Sequence, residues 1–364
     1  MKIRSVYLQE TKSYADHTPE ATASILDCSL GVNPYGPPAQ ALEAIRAFDL
    51  DRLGDYPHTH AAHDAIIRYW REFAELSREN ILLCDGSVSA LYLINALFAN
   101  PGAEVLGFMP SFTDMIVNVG MQGMHYAGVA PADADYRENV DAMLDAMRAD
   151  TALVYIDNPN NPTGQLLCKE DLLRVLERAK ELGVYVLIDE AYGDFVDQSD
   201  SALCYQSRFD NLIVLRTFSK GFGLAGLRAG YLVTTPELTG YMNKTSNPYT
   251  MNELTREAAA AAMSAVGYTS SHGADFARTK QALRENTGHA LKLLVTDDRV
   301  PICALKHREA VDLQARLFNE GILTVSGAEF DCMDESCVRL RVPAAGQTER
   351  LIRAVRKVDR TDGA

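Results

Sequence analysis

The chain predicts an α/β fold built on a mostly parallel sheet, followed by a smaller α+β domain, and three observations carry that expectation. Short apolar runs alternate with longer segments of helical spacing between residues 80 and 235. The polar residues of chemical interest stand directly after those runs. The length, 364 residues, accommodates one large domain and a smaller one.

In order, the runs Ile81-Leu83, Val105-Phe108, Ala152-Ile156, Val184-Ile188, Leu212-Leu215 and Tyr231-Val233 predict buried strands. Between them, Glu170 to Glu181 has the Leu-Leu-x-x-Leu spacing of a helix. Ligands in such a sheet sit beyond the carboxyl ends of the strands. Asp157 to Gly164, Asp189 to Tyr192 and Thr217 to Lys220 fall there. Past residue 250, Asn252 can cap a helix from Glu253 to Val266, and a second helix is expected from Ala274 to Leu294. A helix from Ala310 to Asn319, strands at Ile322-Val325 and Val338-Val342, and a terminal helix from Thr348 complete the small domain. The expected division is an N-terminal segment 1–45 joining the small domain, a large domain 46–250, and a small domain 251–364.

Composition narrows the function. The net charge of −14, from 35 basic and 49 acidic residues, argues against nucleic acid and anionic membrane as partners. No run approaches the ~18 apolar residues of a membrane span. Met1-Lys2-Ile3-Arg4 does not open the apolar core of a signal peptide. Seven cysteines (Cys28, Cys84, Cys168, Cys204, Cys303, Cys332, Cys337) form no C-x-x-C pair, so neither zinc nor a disulfide framework is indicated. A reduced, cytoplasmic setting is expected. His58, His60 and His63 form H-x-H-x-x-H, but histidines around a helix start are more often solvated than metallated, and no metal is expected.

The most informative stretch is Thr217-Phe218-Ser219-Lys220, followed by Arg228. A lysine at a strand end can lose its charge by burial and condense with an aldehyde. Hydroxyls at Thr217 and Ser219 and the guanidinium of Arg228 can hold that aldehyde's phosphate. Gly221 to Gly226 also fits G-x-G-x-x-G, yet the next run, Gly230-Tyr231-Leu232-Val233, ends without the acid a dinucleotide site needs. Asn161-Pro162-Thr163-Gly164, taken alone, is a turn signature. Asp189 can cap the next helix, or face a ring nitrogen and keep it protonated.

Taken together, N-P-T-G, then D-E-A-Y, then S-K-G-x-G-L-x-G-L-R resembles the fold-type I pyridoxal-phosphate aminotransferases. Ser29 to Gly36, Tyr56-Pro57, Asn247 to Asn252 and Cys337 to Leu340 resemble the branch of histidinol-phosphate aminotransferase and threonine-phosphate decarboxylase. The resemblance implies the aspartate-aminotransferase-like fold, pyridoxal 5'-phosphate as cofactor, and small amino-acid and keto-acid substrates. It implies that Lys220 carries the Schiff base and shuttles the substrate proton. Asp189 would pair with the ring nitrogen, Tyr192 and Asn161 with the ring hydroxyl, and Phe112 would stack on the ring. Gly86, Ser87 and Val88 at a helix N-terminus, with Thr217, Ser219 and Arg228, would cradle the phosphate. Tyr56 would reach the phosphate of a neighbouring subunit, which makes a homodimer with shared sites part of the expectation. Arg339 would clamp the substrate carboxylate, with Asn33 and Tyr35 nearby.

Two departures stand out. Where branch members acting on phosphorylated substrates commonly carry an arginine, this chain has Ser326, with Asp331, Asp334 and Glu335 close by in sequence. Valine and serine also follow Ser87, where an acidic residue or alanine is usual. Transamination of an unphosphorylated amino acid is therefore the expectation. Histidinol-phosphate transamination and a decarboxylase or lyase on the same scaffold are the alternatives. A ligand-sensing regulator would need a DNA-binding module, for which only a short acidic chain's N-terminal segment is available.

Overall fold

The computed structural model describes residues 4–8 and 24–360, so the expected N-terminal arm lies partly outside the described residues. Its first strand, β1 (Leu26–Asp27), pairs in parallel with Ile322–Leu323, which ties residues near 26 to the far end of the chain. Two helices follow, α1 (Ala39–Ala47) and α2 (Ala61–Trp70).

The large sheet comprises β2 (Ile81–Cys84), β3 (Glu104–Phe108), β4 (His125–Val129), β5 (Thr151–Asp157), β6 (Val186–Asp189), β7 (Leu212–Thr217) and β8 (Gly230–Val233). Their spatial order is β2-β8-β7-β6-β5-β3-β4. β4, β3, β5, β6 and β7 run parallel, and β8 is antiparallel to both β7 and β2. Helices α3 (Ser87–Phe98), α4 (Thr113–Gln122), α5 (Val140–Ala146), α6 (Lys169–Leu182) and α7 (Pro236–Met242) lie between or after the strands. Because both faces are covered, every residue of β6 and β7 is buried, which is why residues 186–188 and 212–215 read as continuous apolar runs.

Side chains alternate between two cores along each strand. Val154, Ile156, Ile188 and Val214 join one core. Leu153, Tyr155, Leu187, Ile213 and Leu215 join the other, with α3 and α4. Asp157, Asp189 and Thr217 continue the second series by parity, so three polar residues end adjacent strands on one face.

Helix α8 (Glu253–Ser264) starts at Asn252, whose side chain accepts from Thr255 N. Its Ala259, Ala262 and Met263 join the core on the large sheet's first face, beside α1 and α2. The second sheet is antiparallel, in the order β12 (Val325–Ser326), β13 (Cys337–Arg341), β10 (Ile302–His307), β9 (Leu291–Leu293). Helices α9 (Gly273–Asn286), α10 (Leu313–Asn319) and α11 (Thr348–Arg360) supply its core.

Several expectations on element bounds are corrected. The helix expected to run to Leu294 stops at Asn286, because Gly288 adopts φ +135 and Leu291–Leu293 pairs with β10. The strand expected over Ile322–Val325 divides, with β11 (Ile322–Leu323) bonded to β1 and β12 bonded to β13. The helix expected from Ala310 begins at Leu313, where Asp312 caps it. β4 was not anticipated. No helix among the described residues is long and apolar enough to cross a membrane.

Candidate active site

The carboxyl ends of β5, β6 and β7 face the N-terminus of α3 across a cavity of about 150 Å³. Gly86 caps α3 with φ +83, a conformation that suits glycine. A Cβ there would also collide with the Arg228 guanidinium. Arg228 itself sits at φ +51, with Nη1 donating to Ala225 O over 3.1 Å. Ser87, Val88, Ser219 and Arg228 line this end of the cavity. Thr217 stands behind them, buried, its Oγ1 accepting from Ser219 N and lying 3.0 Å from Ala229 O. An unsatisfied helix N-terminus beside a guanidinium is an anion site.

Asp189 forms the opposite end. Its Oδ1 accepts from Ala191 N at 3.0 Å, and its Oδ2 accepts from the Tyr155 hydroxyl at 3.2 Å. Burial pushes its carboxyl up to about 6, against the pull of those two donors and of Lys220. Tyr192 lies close, 2 % exposed, with Lys220 Nζ 5.6 Å from its ring centroid. The Tyr192 hydroxyl is buried without a hydrogen-bond partner among the described residues, and Gly31 packs so tightly on it that a Cβ would collide. Burial raises its pKa.

Asn161 follows β5 through a tight turn. Its backbone N–H donates to Asp157 Oδ2 at 2.9 Å, and its side-chain Oδ1 accepts from Arg339 Nη1 at 3.1 Å. Arg339, on β13, is 2 % exposed and also donates to Ser29 O. The second sheet thus delivers one guanidinium to the rim of the first. Arg341, two residues on, donates instead to Asp27 O.

Of the residues singled out from sequence, Ser87, Val88, Phe112, Asn161, Asp189, Tyr192, Ser219, Lys220 and Arg228 line the cavity together. Gly86, Thr217 and Arg339 lie behind them. Asn33 instead holds the lysine's backbone, with its N–H on Lys220 O and Nδ2 on Gly221 O at 2.8 Å. Tyr35 is turned to Asp275, at 2.5 Å from its hydroxyl, and stacks on His272 with ring centroids 3.9 Å apart. Tyr56 is 66 % exposed and stacked on Tyr249 at 4.0 Å, away from this chain's cavity. Asp114, Asp157, Pro159, Ala191 and Ala225 also line it and were not singled out as site residues. Asp157 carried a usable signal, since it closes a buried strand as Asp189 does.

These groups fit pyridoxal phosphate. A buried carboxylate suits a protonated ring nitrogen, and a buried hydroxyl lacking a partner suits a ring oxygen. The Lys220 amine lines the same cavity, and the glycine-capped helix end with Arg228 suits the phosphate.

The sequence model for aminotransferase class I and II matches residues 23–358. A histidinol-phosphate aminotransferase of Dehalococcoides mccartyi strain 195 is 31% identical over 344 residues, covering 91% of this chain and 89% of that one. Another, from Caldanaerobacter subterraneus subsp. tengcongensis, is 28% identical over 98% of this chain and 99% of its own. The solved histidinol-phosphate aminotransferase of Sinorhizobium meliloti in complex with pyridoxal-5'-phosphate superposes with a TM-score of 0.81 at 23% identity, over 99% of this chain and 98% of that one. The chain belongs to the class I and II aminotransferase family, in the histidinol-phosphate aminotransferase-like branch, and is a pyridoxal-phosphate enzyme that moves an amino group between an amino acid and a 2-oxo acid.

Proposed function

We propose that this cavity is the transamination site, with Lys220 binding the cofactor's aldehyde and then moving the substrate proton. The observation that carries the proposal is the convergence of Lys220, Asp189, Asn161, Tyr192 and Arg228 on one cavity. When bound, pyridoxal phosphate supplies an electron sink for charge leaving the substrate Cα. Asp189 holds a proton on the ring nitrogen, and pairing with that cation offsets the desolvation that otherwise raises its carboxyl. Asn161 Nδ2 and the Tyr192 hydroxyl serve the ring oxygen. Phe112 covers a ring face. Ser87, Val88, Ser219, Thr217 and Arg228 hold the phosphate. Lys220 would hold the cofactor's aldehyde carbon and, once free of it, its Nζ would serve as the base that carries the substrate Cα proton. Arg339, desolvated and already oriented by Asn161 and Ser29, clamps the α-carboxylate.

The working form is a cytoplasmic homodimer, divided as the sequence suggests into segments 1–45, 46–250 and 251–364, except that α8 of the third segment packs on the core of the second. The exposed Tyr56 is suited to reach a neighbouring copy's phosphate. The preferred substrate is an unphosphorylated amino acid. Ser326 supports this, because its hydroxyl accepts from Ala328 N at 3.3 Å and offers no cation to a phosphate monoester. The names of the relatives favour histidinol phosphate as the second reading.

Both are tested by adding a panel of amino acids, histidinol phosphate among them, to the loaded enzyme without keto acid. Conversion of the aldehyde form of the cofactor to its amine form identifies the donor. Release of carbon dioxide with the aldehyde form restored would assign a decarboxylase. A cofactor spectrum unchanged by Lys220→Ala would overturn the site.

A further inference from the structure

We infer that Asp157 is a positioning residue: its carboxylate fixes Asn161 so that the Asn161 amide faces the cofactor's ring oxygen, and through that amide it sets the proton affinity of the lysine-bound cofactor. This rests on the site proposed above.

Asp157 ends β5 at the register position of Asp189 on β6, and is 4 % exposed. Three donors converge on it from two chain segments. Oδ1 accepts from Ser111 Oγ at 2.8 Å and from Asn160 Nδ2 at 3.2 Å, while Oδ2 accepts from Asn161 N at 2.9 Å. Asn160 Nδ2 also lies 3.0 Å from Pro110 O. One carboxylate therefore joins the N-P-T-G turn to the segment that carries Phe112.

The consequence for Asn161 is directional. Arg339 can only donate, so the atom it meets must be Asn161 Oδ1. Nδ2 is then the group that Asn161 offers to the cavity, and the backbone bond to Asp157 fixes where it points. Without that bond the buried Asn161 N–H would lack its acceptor, and the turn would shift to find another. No helix starts until Lys169, so Asp157 is not serving as a helix cap. The ionisable groups around it are Asp189, Glu138, Tyr126, Tyr155 and Tyr192. Burial raises the carboxyl to about 7, while the bonds from Asn161 and Ser111 pull it down toward the charged form they need.

The sign of the effect separates this role from a plain charge effect. Donation from Asn161 stabilises the ring oxyanion and lowers the proton affinity of the lysine-bound cofactor, so losing it raises the pH midpoint. Removing the Asp157 charge, with Asn161 undisturbed, would lower the midpoint.

The experiment is a pH titration of the visible cofactor band, without substrate, in wild type, Asp157→Ala, Asn161→Ala and the double variant. Asp157→Ala, which removes the acceptor that an asparagine Oδ1 would still supply, is expected to raise the midpoint by about 0.5 unit or more, and to add less than about 0.2 unit in the Asn161→Ala background. Ser111→Ala, which leaves the carboxylate and its bond to Asn161, is expected to stay within about 0.2 unit of wild type. A downward shift, or the same shift in both backgrounds, would overturn the inference. Asp157→Ser is the second variant. Loss of the band from both Asp157 variants while Asn161→Ala keeps it would also overturn the route through Asn161. Failure of the site itself reads differently: wild type supplied with pyridoxal phosphate would then show no band that Lys220→Ala removes.

Discussion

Asp157 and Asp189 are register partners on adjacent parallel strands, so two buried carboxylates stand side by side beneath one cavity. Burial raises Asp157 to about 7 and Asp189 to about 6, and the charge of Asp189 adds to the rise at Asp157. Both folded values exceed the ordinary one of 3.8, so the folded protein binds more protons than the unfolded chain across this range. The stability contributed by these groups is present below pH ~4 and is lost as pH rises toward 7. Asp189→Asn should flatten that part of the profile in the cofactor-free protein, by about 1 kcal/mol or more between pH 4.5 and 7. Urea unfolding at several pH values measures it, and an unchanged profile would show that Asp189 keeps an ordinary carboxyl.

At the other end of the cavity, Gly86→Ala combines two costs. Alanine at φ +83 is strained by about 1 kcal/mol or more. Its Cβ also displaces the Arg228 guanidinium. The expected outcome is a tenfold to hundredfold weaker affinity for pyridoxal phosphate, on the order of 1–3 kcal/mol, with the fold retained. A binding titration followed by absorbance checks it. Unchanged affinity would mean that Arg228 moves freely and does not serve the phosphate.

Arg339→Lys tests the clamp. The planar fork now reaches Asn161 Oδ1 and Ser29 O from two nitrogens, and a lysine amine cannot reproduce that geometry. KM for the amino donor should rise about tenfold to hundredfold, as expected for loss of one buried charge-assisted contact. Affinity for pyridoxal phosphate should stay within about threefold of wild type, since Arg339 is not among the residues that hold the cofactor's phosphate. Equal KM in wild type and variant would remove Arg339 from substrate binding.

The strands that hold the cavity were readable because helices cover both faces, which turns residues 186–188 and 212–215 into unbroken apolar runs, with Asp189 closing the first and Arg216-Thr217 the second. β4 was not readable. Among the described residues it pairs only with β3 at the sheet's end, so it tolerates the exposed His125 and a glycine at 128. Gly288 gave too weak a break, since its φ of +135 becomes visible only in three dimensions. The residues that gather at the cavity stand directly after their strands, and that local rule exposed them. Their connections are another matter. Arg339 meets Asn161 from 178 positions away and Tyr35 meets Asp275 from 240, so pairing depends on how the two sheets face each other. The same limit hid the bond that Asp157 accepts from Ser111, 46 positions earlier.

Lys280 shows how far support for the cavity extends. It is wholly buried on α9, and Nζ donates to Thr296 Oγ1 at 2.8 Å, Asp297 O at 2.6 Å and Ile302 O at 2.9 Å. That uses all three of its protons. The segment it holds lies against the N-P-T-G turn: Asp297 N donates to Gly164 O at 2.9 Å, and a Cβ on Gly164 would run into Ile302 O. Lys280→Met keeps the length but takes a charged donor from three oxygens, leaving only the longer bonds from Thr296 Oγ1 to Ile302 O at 3.3 Å and from Val300 N to Asp297 O at 3.4 Å, so it should cost roughly 2 kcal/mol or more. The pH dependence has a definite sign. Burial lowers the amine from 10.5 to about 8, so the unfolded chain binds the extra proton between those values. Lys280 therefore contributes more stability as pH rises through that window, and the cost of Lys280→Met should be larger at pH 9.5 than at pH 7.5. Urea unfolding of both proteins at the two pH values measures the difference. A cost below about 1 kcal/mol at both would mean that the 294–302 segment holds its place against Gly164 without the lysine.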